Sequence, residues 1–584
     1  MFAQKDIIGT DVLDHLGLVT ATIDKLGIVK KIDKKMPMTQ AAKTTYGERA
    51  MAMILNGLGF MDDRLYLFPK FLANKPVERL FGRKISADDF NDDALGRFLD
   101  EVHDYGENKL FSEIAFPIAL EYKLLAKSAH FDTTSLTVYG DYDEDDDAEL
   151  KEKNVDKNNE KNDSTNKISN QTERLTLSNK AKPAYGHAKN KRFDLKQMTL
   201  LLATTGKSGF PIWMEPHSGN TSDKKSLEEA ASRMQQFCKT LSNAPATLLY
   251  TGDSAMYANA VKQSNGLLWL SRVPENMRIS RELLQKTDIA WIDLADGYKM
   301  HVMEQDYRDI KQRWALIYSE QAYAKEILTL EKNIAKEKIE LEKQFRHLGN
   351  ELFSCEKDIK KALKPLLKKL KFHQVKYGIE SVLKYQKQGR PKKLDDGNLP
   401  EKIITGYQVK STIIVDESAI AQKKLSKGRF ILATNQLDKL ALPDNEILAT
   451  YKEQSGTESG FKFIKDNAFE VDSIFLKKPS RISALMMIMT LCLMVYGFAQ
   501  YFLRQQLKNN SETLPSQSGK NTEKPSMKWI YRLFHGVHVL KINHQSLSTI
   551  ILNVNDLLQK IIRYFGKAAC RIYNVQENIA GVSP

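Results

Sequence analysis

Apolar residues three and four apart in VLDHLGLVTATIDKLGIVKKID predict amphipathic helices. GERAMAMILNGLGF repeats that pattern, and SADDFNDDALGRFLDEVHDYG has the acid-rich chemistry of a helix start, so residues 1–125 are expected to form an all-α unit. After Phe131 the period shortens to two. HFDTTSLTVYG (130–140) predicts a strand, and QMTLLLATTGKSGFPIWMEPHSG (197–219) predicts two strands joined by a glycine-containing turn. A helix over 222–241 follows, then a buried strand in ATLLYTGDS (246–254) and another in GLLWLSRVP (266–274). The expected order is strand, hairpin, helix, strand, helix, strand.

Several segments interrupt this order. From Asp143 to about Leu175 there are almost no apolar residues, so a loop insert of about 143–180 can bury nothing and is expected to be disordered. Its acid run, Asp143 to Asp147, reads as solvated loop rather than as a metal site. Between about 320 and 370 apolar residues recur in nearly alternating threes and fours, the seam of a coiled coil. Gly349 and Pro365 allow either a kink or an antiparallel hairpin there. Short strands resume in KIITGYQVKSTIIVDES and GRFILATNQ after a basic stretch, KYQKQGRPKK (384–393). From Ala484 to Leu503 the chain is almost wholly apolar and long enough to span a bilayer. A helix buried on all sides has the same composition; with Arg481 and Arg504 close on either side and no second such span, burial is the reading adopted.

The chain has 584 residues and a mass of 66.6 kDa, too long for one core, and three or four packed units are expected. Lysine and arginine exceed aspartate and glutamate by 87 to 73, a net charge of +14 that favours polyanionic partners. The four cysteines stand apart without a CxxC pair, which argues against structural zinc and a disulfide scaffold and fits a reducing cytoplasm. MFAQKDIIGTDVLDHLGL has no cationic segment followed by a long apolar run, so no secretory signal is expected there.

YKEQSGTESGFKFIKD (451–466) concentrates the candidate chemistry. On a continuous helix Gln454, Glu458 and Lys465 fall at about 300°, 340° and 320° from Tyr451, so all four side chains share one stripe. Gly456 and Gly460 fall on the opposite side, where they permit close packing. With Asp132 on the first predicted strand, Asp253 at the carboxyl end of the fourth and Glu458 on this helix, three acids stand in the order of an RNase H-like core.

The spacing Y-x2-Q-x3-E-x6-K is similar to the Y-x2-R-x3-E-x6-K signature of DDE transposases of bacterial insertion sequences, and FDTTSLTVYGDY, GHAKNKRFDLKQ, GNTSD and LLYTGDS stand in an order that resembles the same family. The resemblance implies an α/β fold, with an RNase H-like catalytic core interrupted by a helical, coiled-coil and β insertion and preceded by an all-α N-terminal domain. Expected boundaries are 1–125 for a helical domain binding DNA ends, 126–275 and 428–510 for the two parts of the core, 276–427 for the insertion and 511–584 for a C-terminal helical segment. It further implies Asp132, Asp253 and Glu458 as metal-binding catalytic acids, two Mg²⁺ ions or Mn²⁺ in their place, and Tyr451 and Lys465 on phosphates of the transposon end. Gln454 departs from the signature, since an amide lacks the charge and fork of arginine. For His187, Lys189 and Arg192 in GHAKNKRFDLKQ, a phosphate-tracking strand and a solvated loop face both fit, and QGRPKK resembles a minor-groove hook. The implied partners are the transposon ends, target DNA and a second copy in a synaptic complex, with no membrane, in a bacterial cytoplasm. Alternatives from other classes are a DNA-binding regulator that has lost catalysis and a membrane-anchored protein.

Overall fold

The computed structural model describes the chain apart from residues 1–6, 39–41, 60–66, 141, 143–180, 187–191, 207, 222, 242–247, 261–265, 387–388, 390, 392–398, 455–459, 461–472, 475, 545 and 578–584. The acid-rich insert, His187, Lys189, Glu458, Lys465 and most of QGRPKK therefore lie outside the described residues.

Alternation builds the centre of the molecule. Strand β2 (Ser128–Val138) pairs antiparallel with β3 (Gln197–Thr205), and β3 with β4 (Phe210–Ser218), through a turn whose Gly206 and Gly209 take positive φ. On its other side β2 runs parallel to β5 (Leu249–Gly252), and β5 parallel to β6 (Leu268–Arg272). The strand, hairpin, helix, strand, helix, strand order is present, with helices Asp223–Lys239 and Ser254–Ala260 before and after β5. Every residue of β3 is buried, as expected of a strand covered on both faces.

The sheet does not stop there. β7 (Ile292–Leu294), β8 (Tyr298–Tyr307) and β9 (Ile310–Ser319) continue it, joined to β6 by a strand from much later in the chain, β12 (Arg429–Thr434). The resulting ten-stranded mixed sheet runs β4-β3-β2-β5-β6-β12-β9-β8-β7, with the two-residue β13 (Ser473–Ile474) parallel to the far end of β2.

The remaining insertion leaves the sheet as an arm. Helix Glu320–Asn350 ends one residue after Gly349, and a second helix, Glu356–Leu367, follows. The seam has a different partner from the one expected of a coiled coil. Leu341, Phe345 and Leu348 pack with Ile359, Leu363 and Val409, so the helices cover a two-stranded ribbon of β10 (His373–Lys384) and β11 (Ile403–Val415).

The apolar 484–503 run lies in helix Pro479–Asn509, whose most apolar window has a mean hydropathy of 2.1 and is 83% buried. It packs against helices Leu16–Leu26, Tyr46–Leu58, Asp92–Tyr105 and Glu107–Glu121 and against β4. Arg481 holds Asp100 through two bonds of 2.7 and 2.6 Å, and Phe498 stacks edge-on to Tyr122 at 4.7 Å. Each fully buried Leu or Met contributes on the order of 1.5–3 kcal/mol, so this helix is a main post of the core.

Two expectations about the chain's outer segments need correction. Residues 1–125 are largely helical but begin with β1 (Ile7–Val12), and 511–584 is not simply helical. It carries the short pair β14 (Leu514–Pro515) and β15 (Asn521–Thr522), then β16 (His538–His544) and β17 (Ser546–Leu552), and β1 pairs antiparallel with β16 in a three-stranded sheet. Buried His15 stacks on Tyr531 at 4.3 Å and bonds the Leu58 carbonyl at 2.7 Å, and the Tyr573 hydroxyl donates to the Asp14 carbonyl. The first and last segments are thus joined by a shared sheet and by side-chain contacts.

Candidate active site

Alternate residues of a strand face opposite sides of its sheet, so Ser128, His130 and Asp132 share one face of β2. The parallel register Ser128↔Leu249, Ala129↔Tyr250, His130↔Thr251, carried on by two residues, sets Asp132 level with Asp253. Asp132 is half-buried, and its Oδ1 accepts the Thr133 N–H at 2.7 Å. Asp253 is exposed where β5 gives way to helix Ser254–Ala260; its Oδ1 accepts the Ala255 N–H at 2.8 Å, and its carbonyl accepts the Ser271 hydroxyl at 2.5 Å. Among the described residues no lysine or arginine forms an ion pair with Asp253. A carboxylate left exposed and unneutralised at a strand end is suited to a hard cation.

The chain returns to this face through helix Ile447–Lys452. Ile447 and Leu448 pack with Leu249, Leu270 and Leu432, and half-buried Tyr451 lies against the same cluster. The expected continuous stripe stops here. The helix ends at Lys452, and Glu453 and Gln454 are held by N–H bonds to the Thr450 and Tyr451 carbonyls, the tighter three-residue repeat. In that repeat Tyr451 and Gln454 still share a side, but Gln454 is only 8% exposed instead of presented to solvent. Lys452 places its ammonium 3.5 Å from the centre of the Tyr298 ring.

Three residues absent from the expected site lock this segment to β2. The Ser128 hydroxyl donates to Glu453 Oε2 at 3.3 Å, the fully buried His130 places Nε2 3.6 Å from the same oxygen, and Ser128 Oγ and His130 Nε2 are 3.1 Å apart. The sequence signal was Ser-x-His-x-Asp, three polar residues on alternate positions separated by the apolar Ala129 and Phe131. Further on, Gly460 is buried, and a Cβ there would lie 3.0 Å from Leu493 and 3.8 Å from Leu202, the antiparallel partner of Asp132. Glu453 and Gly460, which flank Glu458 in the chain, thus both lie over the face that carries Asp132. Among the described residues no three His, Cys, Asp or Glu side chains converge as a metal-binding group.

Of the basic candidates, exposed Arg192 is held as a fork by Asp194, at 2.9 Å from both Nε and Nη2, and Lys196 donates to the Tyr142 carbonyl at 2.8 Å. A separate buried ion cluster stands on the other face of the hairpin. Burial alone would raise the Glu215 carboxyl, yet His217, with Nε2 3.1 Å from Oε2, and two hydrogen bonds from Arg233 hold it down to about 2. Its neighbours are Trp213 and the Asp223–Lys239 helix, so it fastens that helix to β4.

No curated protein matches the chain. Among solved structures, the cryo-EM structure of a piggyBac transposase synaptic complex with hairpin DNA aligns over 91% of this chain and 81% of that one, at 10% identity and a TM-score of 0.32, too loose a superposition to bear on fold or site. Residues 8–116 match a domain of unknown function, DUF4277. Residues 167–495, more than half the chain, match the family described as Transposase DDE domain; the match contains Asp253 and Glu458 and begins after Asp132. By that match, the protein that carries Asp132 on β2 and Asp253 just past the end of β5 belongs to the Transposase DDE domain family.

Proposed function

We propose that this transposase binds the terminal inverted repeats of a bacterial insertion sequence and cuts and joins DNA strands from an RNase H-like core, with Asp132, Asp253 and Glu458 as its catalytic acids. The observation that carries the reading is the parallel register of β2 and β5, paired as far as His130↔Thr251, which when extended by two residues puts Asp132 level with Asp253. The central strand order β4-β3-β2-β5-β6, with β2 antiparallel to β3 and parallel to β5, supports the core assignment. The positions of Glu453 and Gly460 support Glu458 as the third acid.

Three carboxylates form an all-oxygen donor set of the kind Mg²⁺ or Mn²⁺ takes, and these residues would hold the ions. Bound there, divalent cations supply Lewis acidity at the scissile phosphate. The chain's own part is positioning: the Thr133 and Ala255 N–H groups each hold one carboxylate oxygen, and Ser128 and His130 hold Glu453, five residues before Glu458 in the chain, against β2. In the first step a water oxygen attacks phosphorus and the 3′ oxygen leaves, taking up the proton the water gives up; in the second that 3′-hydroxyl attacks a target phosphodiester, forming a new P–O bond as the target's own 3′ oxygen leaves and takes the hydroxyl's proton. Tyr451 and Lys465 would hold end phosphates, and two chains would pair in a synaptic complex within the cytoplasm.

The purified chain, incubated with DNA carrying the element's ends and Mg²⁺, is expected to nick at those ends. Asp132→Ala, Asp253→Ala and Glu458→Ala should each abolish nicking and retain end binding. An acid variant that cuts at the wild-type rate would remove that residue from the site. Wild-type binding without any cutting would favour the catalytically inactive regulator instead.

A further inference from the structure

A cleft lies on the side of the sheet away from the aspartates, and a second adjoins it at the base of helix Glu320–Asn350. Register carries the face of His130 through Thr251 and Leu270 to Thr434, and Arg429, five residues before Thr434, therefore points the other way. On that reverse face Lys299, Tyr318 and Arg429 form one row across β8, β9 and β12. Trp291 and Tyr323 flank the row, with ring centres 6.1 and 5.9 Å from that of Tyr318. Together with Lys424 and Lys427 they line a cleft of about 400 Å³. Lys427 also lines a second cleft of about 480 Å³, bordered by Lys423 and Lys371.

The charges here are poorly neutralised. Arg429 lies 5.5 Å from the Trp291 ring and donates to the neutral carbonyls of Leu284 and Lys286, at 3.1 and 2.7 Å, so it is fixed in place without losing its charge. Lys371, Lys423 and Lys424 have no ion-pair partner among the described residues. Lys299 and Lys427 have solvent-accessible partners in Asp293 and Glu326, both at 3.3 Å, a kind of pair worth little in water that a phosphate can displace.

We propose that this double cleft binds single-stranded DNA, the aromatic cleft receiving a base and the lysines of both clefts following the phosphates. The inference rests on the DNA-processing role proposed above and adds a second DNA site to it. Rings and cations in one recess suit a ligand that alternates flat π-faces with negative charges. An acidic peptide would use the cations and gain little from three rings. A duplex keeps its bases stacked inside, and a recess of this volume admits about one nucleotide rather than a double helix.

The test is fluorescence anisotropy on the full chain with two probes, labelled oligothymidylate and a labelled duplex of the element's end. Tyr323→Ala and Lys424→Glu are each expected to weaken oligothymidylate binding by about tenfold and to leave duplex binding unchanged. Trp291→Phe, which keeps a ring, should stay within about twofold, whereas Trp291→Ala should not. Unaltered melting of the surface variant Lys424→Glu separates lost contact from lost folding. The inference is overturned if the wild type binds the duplex but not oligothymidylate, if the variants keep wild-type affinity, or if polyglutamate displaces the probe as well as unlabelled oligothymidylate does. Oligothymidylate binding with these losses, but no duplex binding by the wild type, would uphold the cleft and refute the end-binding role instead.

Discussion

Asp132→Asn is expected to stabilise the protein without metal and to abolish its response to metal. Neighbouring strands lie about 4.8 Å apart, so the carboxylates of Asp132 on β2 and Asp253 just past β5 are expected to be separated by roughly 5–6 Å. Their repulsion is about 0.7 kcal/mol at the dielectric of water and about 3 kcal/mol at an effective value of 20. Asp253 is exposed, which places the figure near the lower end, about 1 kcal/mol. Asparagine keeps an oxygen for the Thr133 N–H and removes the charge. In EDTA the variant should therefore melt higher by roughly 1–3 °C for a cooperative unit of about 200 residues. Mg²⁺ at ten times its dissociation constant should stabilise the wild type by about 1.4 kcal/mol and the variant by much less, so the order of melting narrows or reverses as Mg²⁺ is added. Differential scanning fluorimetry across a Mg²⁺ series, run beside a nicking assay, measures both halves. Equal Mg²⁺ responses, or a variant that melts lower in EDTA, would refute the placement of the two acids in one cation site.

Glu453→Ala should lower the nicking rate about tenfold or more with end affinity kept, since it releases the approach to Glu458 from Ser128 and His130; Glu453→Gln should recover part of the rate, and a change in affinity alone would count against the positioning role. Gln454→Arg should lower stability by about 2 kcal/mol in chemical denaturation instead of tightening DNA binding, because it forces a guanidinium into a site that is 8% exposed; an unchanged midpoint with tighter binding would show that the side chain reaches DNA. Burial pulls the His15 imidazole down from 6.5 to about 4. The unfolded chain then binds the proton first, so stability is full above about pH 6.5 and falls by about 3 kcal/mol toward pH 4, a dependence that His15→Gln should flatten in pH-resolved melts.

The central strands were legible because their signal is local: alternation in 130–140 and 197–219, a turn with glycines, and short apolar runs ending in Asp253. The two aspartates followed from those strands. What the sequence withheld was pairing at long range. Nothing in GRFILATNQ says that β12 inserts between β6 and β9, because the choice is made by faces such as Leu432 on Leu270 that meet only in three dimensions. The same holds for β1 on β16 and for Glu453 on Ser128. A helical wheel over 451–465 assumed one uninterrupted helix, whereas Ile447 and Leu448 are anchored in the sheet's cluster and the repeat tightens immediately after Lys452. The apolar stripe expected to be a coiled-coil seam packs instead on a ribbon, because a stripe does not specify whether a helix or a ribbon will cover it.

The pairing of β1 with β16 bears on how the protein is made. Ile7 emerges from the ribosome some 535 residues before its partner Ile542, roughly half a minute to two minutes at about 5–20 residues per second. During that wait β1 is a strand with an open edge, the kind of surface that recruits other unfinished chains. Translation cut short anywhere before His538 leaves that edge permanently uncovered, so partial products are candidates for aggregation and clearance, and only chains read through β16 acquire a closed terminal unit.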